Sequence, residues 1–173
     1  TYKSIKTFIV LLSLVAFQMG AQISGTVTIN SAAATGGTNY QSFTALATAL
    51  NTSGINGPLT VNVVAASGPY VEQPSFNVIT GVSATNTITI NGNGNTLTFG
   101  ATSSAAPWTL NLNGADRMTF NNLNVVGTGA TYAYVCLLSA GADYNTFSAC
   151  TFSCPLNGTS TSHYPVIFSG INS

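Results

Sequence analysis

Charge is what this chain lacks most. Of its 173 residues, three are Lys or Arg, three are Asp or Glu, and one is His. Lys3 and Lys6 lie in the first six positions, so everything after residue 21 carries Arg117 alone against Glu72, Asp116 and Asp143, a formal charge of about −2. A surface without lysine neutralises few phosphates, which excludes nucleic-acid binding through counterion release. The same poverty argues against an anionic membrane surface. Low charge does not mean disorder here, because disorder also needs low hydrophobicity, and 45% of the residues are apolar. Thr, Ser, Asn and Gly stand where charge would, which suits β positions and turns.

No apolar run reaches the roughly 20 residues of a membrane helix. The longest is the mostly apolar stretch 7–17, which follows Lys3 and Lys6 and precedes the small pair Gly20-Ala21. That order is expected of a secretory signal peptide over residues 1–21, cleaved before Gln22. No Cys follows the cut, so a lipid anchor is not indicated, and a start at Thr1 rather than Met suggests a truncated frame. The expectation is a secreted or cell-surface protein with no membrane span after cleavage.

What the chain has in quantity is self-similarity. Gly114-Ala115-Asp116-Arg117-Met118-Thr119-Phe120-Asn121-Asn122-Leu123-Asn124-Val125 is matched position for position by Gly141-Ala142-Asp143-Tyr144-Asn145-Thr146-Phe147-Ser148-Ala149-Cys150-Thr151-Phe152. A shorter unit, 87–92, resembles 109–114. Repetition at a period of roughly 20–30 residues is the mark of a solenoid. Apolar β runs at 60–63, 87–90, 109–112, 135–138 and 165–168 recur at intervals of 27, 22, 26 and 30. Between them lie 96–99, 118–125 and 145–152. In the last two the apolar spacing is three and then two, which predicts a bend between two short strands, since a continuous strand keeps period two.

Before the repeats, residues 22–30 alternate as a strand. Phe43, Leu46, Ala47 and Leu50 then fall on one helical face, with Ser42 placed to cap it and Gly54 beyond its end. So short a helix must lie on something, and covering the first layer of a solenoid would serve. The predicted organisation is a signal at 1–21, a strand and capping helix at 22–58, and β-helix turns at 59–173, incomplete at the C-terminus. An immunoglobulin-like sandwich is the rival all-β reading, but it does not predict two near-identical segments in succession. Asn91, Asn93, Asn95, Asn111, Asn113, Asn121, Asn122 and Asn124 are expected as corner ladders, each amide bonding the rungs on either side.

On Val61-Asn62-Val63, Gly68-Pro69-Tyr70-Val71-Glu72 and Ile88-Thr89-Ile90-Asn91-Gly92-Asn93-Gly94, the chain resembles right-handed parallel β-helix proteins of the pectin-lyase-like class. Residues 25–30, 36–43 and 57–63 are also similar to bacterial surface proteins exported by the type IX route. The resemblance implies an all-β, right-handed parallel β-helix and a family that includes polysaccharide lyases, glycoside hydrolases, pectin esterases and non-catalytic adhesins. Its motifs specify scaffold rather than chemistry, and the sorting domain of type IX cargo is not seen.

Candidate chemistry is sparse. Asp116 and Asp143 share one repeat position, so their side chains are expected about 5 Å apart on adjacent turns. Such a pair suits Ca²⁺ or an acid and nucleophile acting on a glycoside; the plainer reading is a turn aspartate bonding its own backbone. Arg117 would neutralise the pair. The lyases that the chain resembles use an Arg or Lys beside acid-held Ca²⁺, but no such acidic cluster aligns. Asp116, Asp143, Arg117 and Tyr144 are the candidate substrate-binding residues, and no catalytic residue is assigned. Glu72 reads as structural and His163, placed beside Ala133 by the repeat, as solvated. Tyr132, Tyr134, Tyr144 and Tyr164 sit at corners or strand starts, as surface or as stacking platforms for sugar rings. Cys150 takes the place of Leu123 and, like Cys136, reads as core. Cys150 and Cys154 on one extended strand are about 13 Å apart, beyond disulfide reach without a sharp turn near Ser153.

Two functions follow: a non-catalytic surface scaffold that binds polysaccharide or cell-surface glycan, or a polysaccharide lyase or glycoside hydrolase whose catalytic turn is Asp116/Asp143 or lies beyond Ser173. The charge-poor surface favours the first. The last strand would leave an open edge, expected to be covered by further turns of a longer chain.

Overall fold

The structure, a computed structural model, describes residues 21–155 and 162–169. The expected signal peptide therefore lies, apart from Ala21, outside the described residues. Those residues form a parallel β-helix. Its first turn is β3 (Ile55–Val63), β4 (Tyr70–Val71) and β5 (Ser75–Phe76), and its second is β6 (Ile88–Asn91), β7 (Thr96–Phe99) and β8 (Trp108–Asn113). The third is β9 (Met118–Asn121), β10 (Asn124–Gly127) and β11 (Ala133–Ser139), and the fourth is β12 (Thr146–Ser148), β13 (Thr151–Ser153) and β14 (His163–Ser169). Stacked turns give three sheets, ordered β12-β9-β6-β3, β13-β10-β7-β4 and β14-β11-β8-β5. β1 (Ile23–Ile29) and β2 (Asn39–Tyr40) extend the first sheet beyond β3. Every strand pairing is parallel. The sandwich reading is thereby excluded.

The interior is a set of columns, one apolar residue per turn. Val27 pairs with Val61, Val61 with Ile90, Ile90 with Phe120 and Phe120 with Phe147. The rings of Phe120 and Phe147 stack with centroids 5.3 Å apart and planes 17° from parallel. Phe120 is fully buried, which stabilises by roughly 1.5–3 kcal/mol. The long repeat is thus one turn of the coil, and the bends predicted inside 118–125 and 145–152 separate β9 from β10 and β12 from β13. Asn122 and Ala149 make those bends in the left-handed region, at φ 49° and 52°, with Asn93 (φ 51°) at the same corner a turn earlier. Gly92 at this corner admits no side chain: a Cβ there would meet Asn122 O and Leu123 Cβ at 2.7 Å.

The shorter repeat does not mark a turn. β6 lies in the first sheet and β8 in the third, so the likeness of 87–92 to 109–114 reflects two strands with the same in-out pattern. The series of apolar runs that opens with 60–63 and 87–90 changes sheet when it reaches 109–112, whereas the rung that follows β6 in its own sheet is β9, with Ile88 beside Met118. Hydrophobic alternation alone does not distinguish one sheet of a solenoid from another.

The Asn ladder exists. Asn91 Nδ2 donates to Asn62 Oδ1 (2.9 Å) and Asn121 Nδ2 to Asn91 Oδ1 (3.0 Å), so one amide column crosses three rungs of the first sheet. Asn95 Nδ2 donates to Val64 O and Gly92 O, while its Oδ1 accepts from Gly68 N.

α1 (Phe43–Ser53) buries Phe43, Leu46, Ala47 and Leu50. It packs against β5, β1 and β2, with Phe43 edge-on to Tyr70 at 5.1 Å. All four amides of its first turn are met: Ala45 N by Ser42 Oγ, Leu46 N by Ser42 O, and Phe43 N and Thr44 N by the two carboxylate oxygens of Glu72 at 2.8 Å. Glu72 follows β4, so the first turn of the coil caps the helix that covers it. The structural reading of Glu72 acquires a mechanism: a carboxylate at the positive end of a helix. Among the described residues no helix is long and apolar enough to cross a membrane.

Candidate functional site

The corner after the third sheet carries the four candidate binding residues. Gly114-Ala115-Asp116-Arg117 turns from β8 into β9, and Gly141-Ala142-Asp143-Tyr144 turns from β11 into β12. Gly114, Arg117, Gly141 and Tyr144 all adopt positive φ, so the two corners superimpose rung on rung. Asp116 Oδ1 accepts from Asp143 N at 2.7 Å. The aspartate therefore holds the next rung's backbone, not its own as the turn reading expected. Arg117 N donates to Asp143 O, and Asn145 Oδ1 accepts from Met118 N while its Nδ2 donates to Ala115 O. The Arg117 guanidinium lies 4.2 Å from the ring centroid of Tyr144, a cation–π contact at a ring 74% exposed. All four residues are brought together, and each of Asp116, Arg117 and Tyr144 is engaged in joining the third turn to the fourth.

This geometry is poor material for catalysis. A glycosidase pair needs one carboxyl free as acid and the other free as base or nucleophile, and Asp116 already has an oxygen on a rung amide. Among the described residues no three His, Cys, Asp or Glu side chains converge as a metal site, while Ca²⁺ takes about six to eight oxygens, roughly three to four times what two carboxylates supply singly. A cavity of about 200 Å³ near Asp143 is lined also by Leu138, Ser139, Ala142 and Phe168. Phe168 is the register partner of Leu138, yet it is 77% exposed where Leu138 is 7%. Among the described residues, the cavity thus lies where an interior column reaches the edge strand β14.

A second assembly lies at the start of the third sheet's strands. Trp108, Tyr134 and Tyr164 occupy one register position on β8, β11 and β14. Tyr134 and Tyr164 meet edge to face at 5.5 Å and 70°. Ala133 and Val135, on either side of Tyr134, are buried and face Gly127, where an added Cβ would lie 3.2 Å from Ala133 Cβ and 3.4 Å from Val135 Cγ2. Tyr134 between them thus lies on the outer face. Val135 and Cys136 are consecutive and both fully buried, so the alternation slips by one residue just after the aromatic position. Trp108 and Tyr134 are half-buried and Tyr164 is 43% exposed.

No protein-family model matches the chain, and comparison with curated proteins and with solved structures returns no match either.

The remaining candidates have structural surroundings. His163 pairs in register with Ala133, as the repeat predicted, but it is not solvated as expected: its Nδ1 lies 3.1 Å from Pro155 O, and Nε2 is enclosed with no partner among the described residues. Cys136, Cys150 and Cys154 are free thiols. Cys136 is core, and burial, reinforced by the nearby Cys150, pushes its pKa up to about 12. Cys150 is only half-buried and donates through Sγ to Phe120 O at 3.3 Å. Trp108 was missed by reading tyrosines alone. The signal was present, since Trp108, Tyr134 and Tyr164 each stand one place before an apolar run, at 109–112, 135–138 and 165–168.

Proposed function

We propose that this chain is a secreted or cell-surface β-helical scaffold that binds glycans without cleaving them. The observation that supports it is the use of its charged side chains. Glu72 caps α1, Asp116 fastens the rung above, and Arg117 lies over Tyr144. Acid–base work on a polysaccharide needs converging groups with unmatched protons; here Glu72 is held at the helix start, and of the three charged residues gathered at one corner Asp116 and Arg117 are engaged in joining the rungs. Secretion rests on the charge-then-apolar pattern of residues 1–21. The likeness to pectin-lyase-like proteins supplies the expectation of a saccharide partner. In this reading the outer edges of β12, β13 and β14 pair with further rungs, because an open parallel edge invites a strand.

The test is incubation with polygalacturonate and with neutral polysaccharides, with and without Ca²⁺, following both retention and product. Retention with no unsaturated or reducing ends is expected. Unsaturated product would replace the scaffold reading with a lyase, and new reducing ends with a hydrolase.

A further inference from the structure

We infer that the column of Trp108, Tyr134 and Tyr164 on the outer face of the third sheet is a binding platform for neutral glycans, a deepening that rests on the glycan-binding reading above. Three consecutive rungs place an aromatic ring at one register position, about 4.8 Å apart along the coil axis. The scaffold does not require this. Inside the coil, stacked rings fill volume, as Phe120 and Phe147 do, but an outward position at a strand start is filled equally well by the Thr, Ser and Asn that dominate the rest of this surface. Aromatic side chains offer large, stiff contact area with a polar tip, and Tyr164 is 43% exposed.

The electrostatics around the column choose among ligands. Along β8 the aromatic position lies five residues, about 16 Å, from the strand end that leads to Asp116 and Arg117. Glu72 is closer, because its neighbour Gln73 donates through Nε2 to Trp108 O and Ala106 O, but both its oxygens are held by α1. His163, beside Tyr164, has Nδ1 against Pro155 O. No unengaged Lys, Arg, Asp or Glu side chain stands at the column among the described residues, so neither a phosphate nor a uronate finds a lysine or arginine there. What remains is ring faces and the neutral tyrosine hydroxyls; the Trp108 Nε1 is enclosed, with no acceptor among the described residues, and does not reach the surface. Apolar ring faces bordered by uncharged donors are the complement of a neutral pyranose chain, whose C–H faces stack while its hydroxyls bond.

The test uses the secreted chain and four variants: Tyr134→Ser, Tyr164→Ser, Tyr134→Phe, and Val71→Ser as a surface control on another sheet, where Val71 is 72% exposed. Retention on mannan, β-glucan and galactan is compared with polygalacturonate and heparin, and folding of each variant is checked by far-UV circular dichroism. Expected are binding to at least one neutral polysaccharide, a loss of about tenfold in affinity for each Tyr→Ser, a smaller loss for Tyr134→Phe, near-parental binding for Val71→Ser, and quenching of the single Trp on binding. If the parent binds a glycan and both Tyr→Ser variants bind equally well, the platform is wrong while the glycan-binding reading stands. If it binds no glycan, or binds through this column only an apolar peptide, both fall. Preference for the anionic polymers overturns the assignment of ligand class.

Discussion

Removing the Glu72 carboxylate should loosen the cap on the coil. Its two oxygens accept from Phe43 N and Thr44 N at 2.8 Å, so Glu72→Ala leaves two helix-terminal amides to solvent. Hydrogen bonds to a charged group contribute about 1.5–3 kcal/mol net in sheltered sites. Helix caps measured by substitution give about 0.5–2 kcal/mol, and a carboxylate at the positive end of the macrodipole adds about 0.3–1 kcal/mol. Glu72 is half-buried, so the cap and macrodipole figures apply, and Glu72→Ala is expected to cost about 1–3 kcal/mol. For a chain of this size each kcal/mol moves Tm by about 2–4 °C, a fall of roughly 2–12 °C. Glu72→Gln keeps one acceptor but loses the charge and the second oxygen, so it should lie about halfway. Urea unfolding followed by circular dichroism gives the free energy, and hydrogen exchange at Phe43 and Thr44 shows where it arises. If Glu72→Ala stays within about 0.5 kcal/mol of the parent with both amides still protected, the argument that the first turn holds its own cap is refuted.

Asn91 accepts from Asn121 and donates to Asn62, so Asn91→Ala leaves two amide partners unmet and should cost about 1–3 kcal/mol by denaturant midpoint. Gly92→Ala places a methyl 2.7 Å from Asn122 O and Leu123 Cβ; it should destabilise by more than about 2 kcal/mol, with a far smaller effect from Gly94→Ala, which meets no atom within 4 Å, once its own positive φ (74°) is allowed for by comparison with Gly94→Asn. Cys136 holds its proton to about 12 when folded, against 9.0 for an ordinary thiol. Between those values the unfolded chain binds fewer protons, so stability is intact below about pH 8 and falls as pH rises, by up to about 1.4 kcal/mol per pH unit. Burial pushes half-exposed Tyr40 in the same direction, and Cys136→Ala should flatten the slope but not abolish it in pH-dependent urea titrations.

The architecture was legible because a solenoid writes its register into its sequence. Phe120 and Phe147 align one period apart since each turn must put the same bulk at the same place in the column. The bends inside 118–125 and 145–152 were legible for a related reason: a three-then-two spacing has no meaning in a straight strand. What was not legible was which sheet a strand joins. β6 and β8 read alike, both alternating Thr or Asn with Ile or Leu, and only their pairing partners tell them apart. Nor could spacing show that Glu72 reaches back to the first two residues of α1, because a side-chain cap of a distant helix leaves no periodic trace.

Repetition also misled the search for a site. Asp116 and Asp143 recur in register, and recurrence invited a paired-carboxylate reading, yet a residue that recurs at a corner is accounted for by the corner itself: Asp116 binds the amide of Asp143 because every rung needs something to hold the next. In such a fold, chemistry is better sought where recurrence is not demanded by stacking. Inward positions must be apolar on every turn and corners must be small or left-handed on every turn, whereas outward strand positions have no such requirement. Three aromatic rings at one outward register position, on three successive turns of a surface rich in Thr, Ser and Asn, are not required by the stacking of the coil. Their presence there is what the proposed glycan platform would explain, and the Tyr134→Ser and Tyr164→Ser variants decide whether it does.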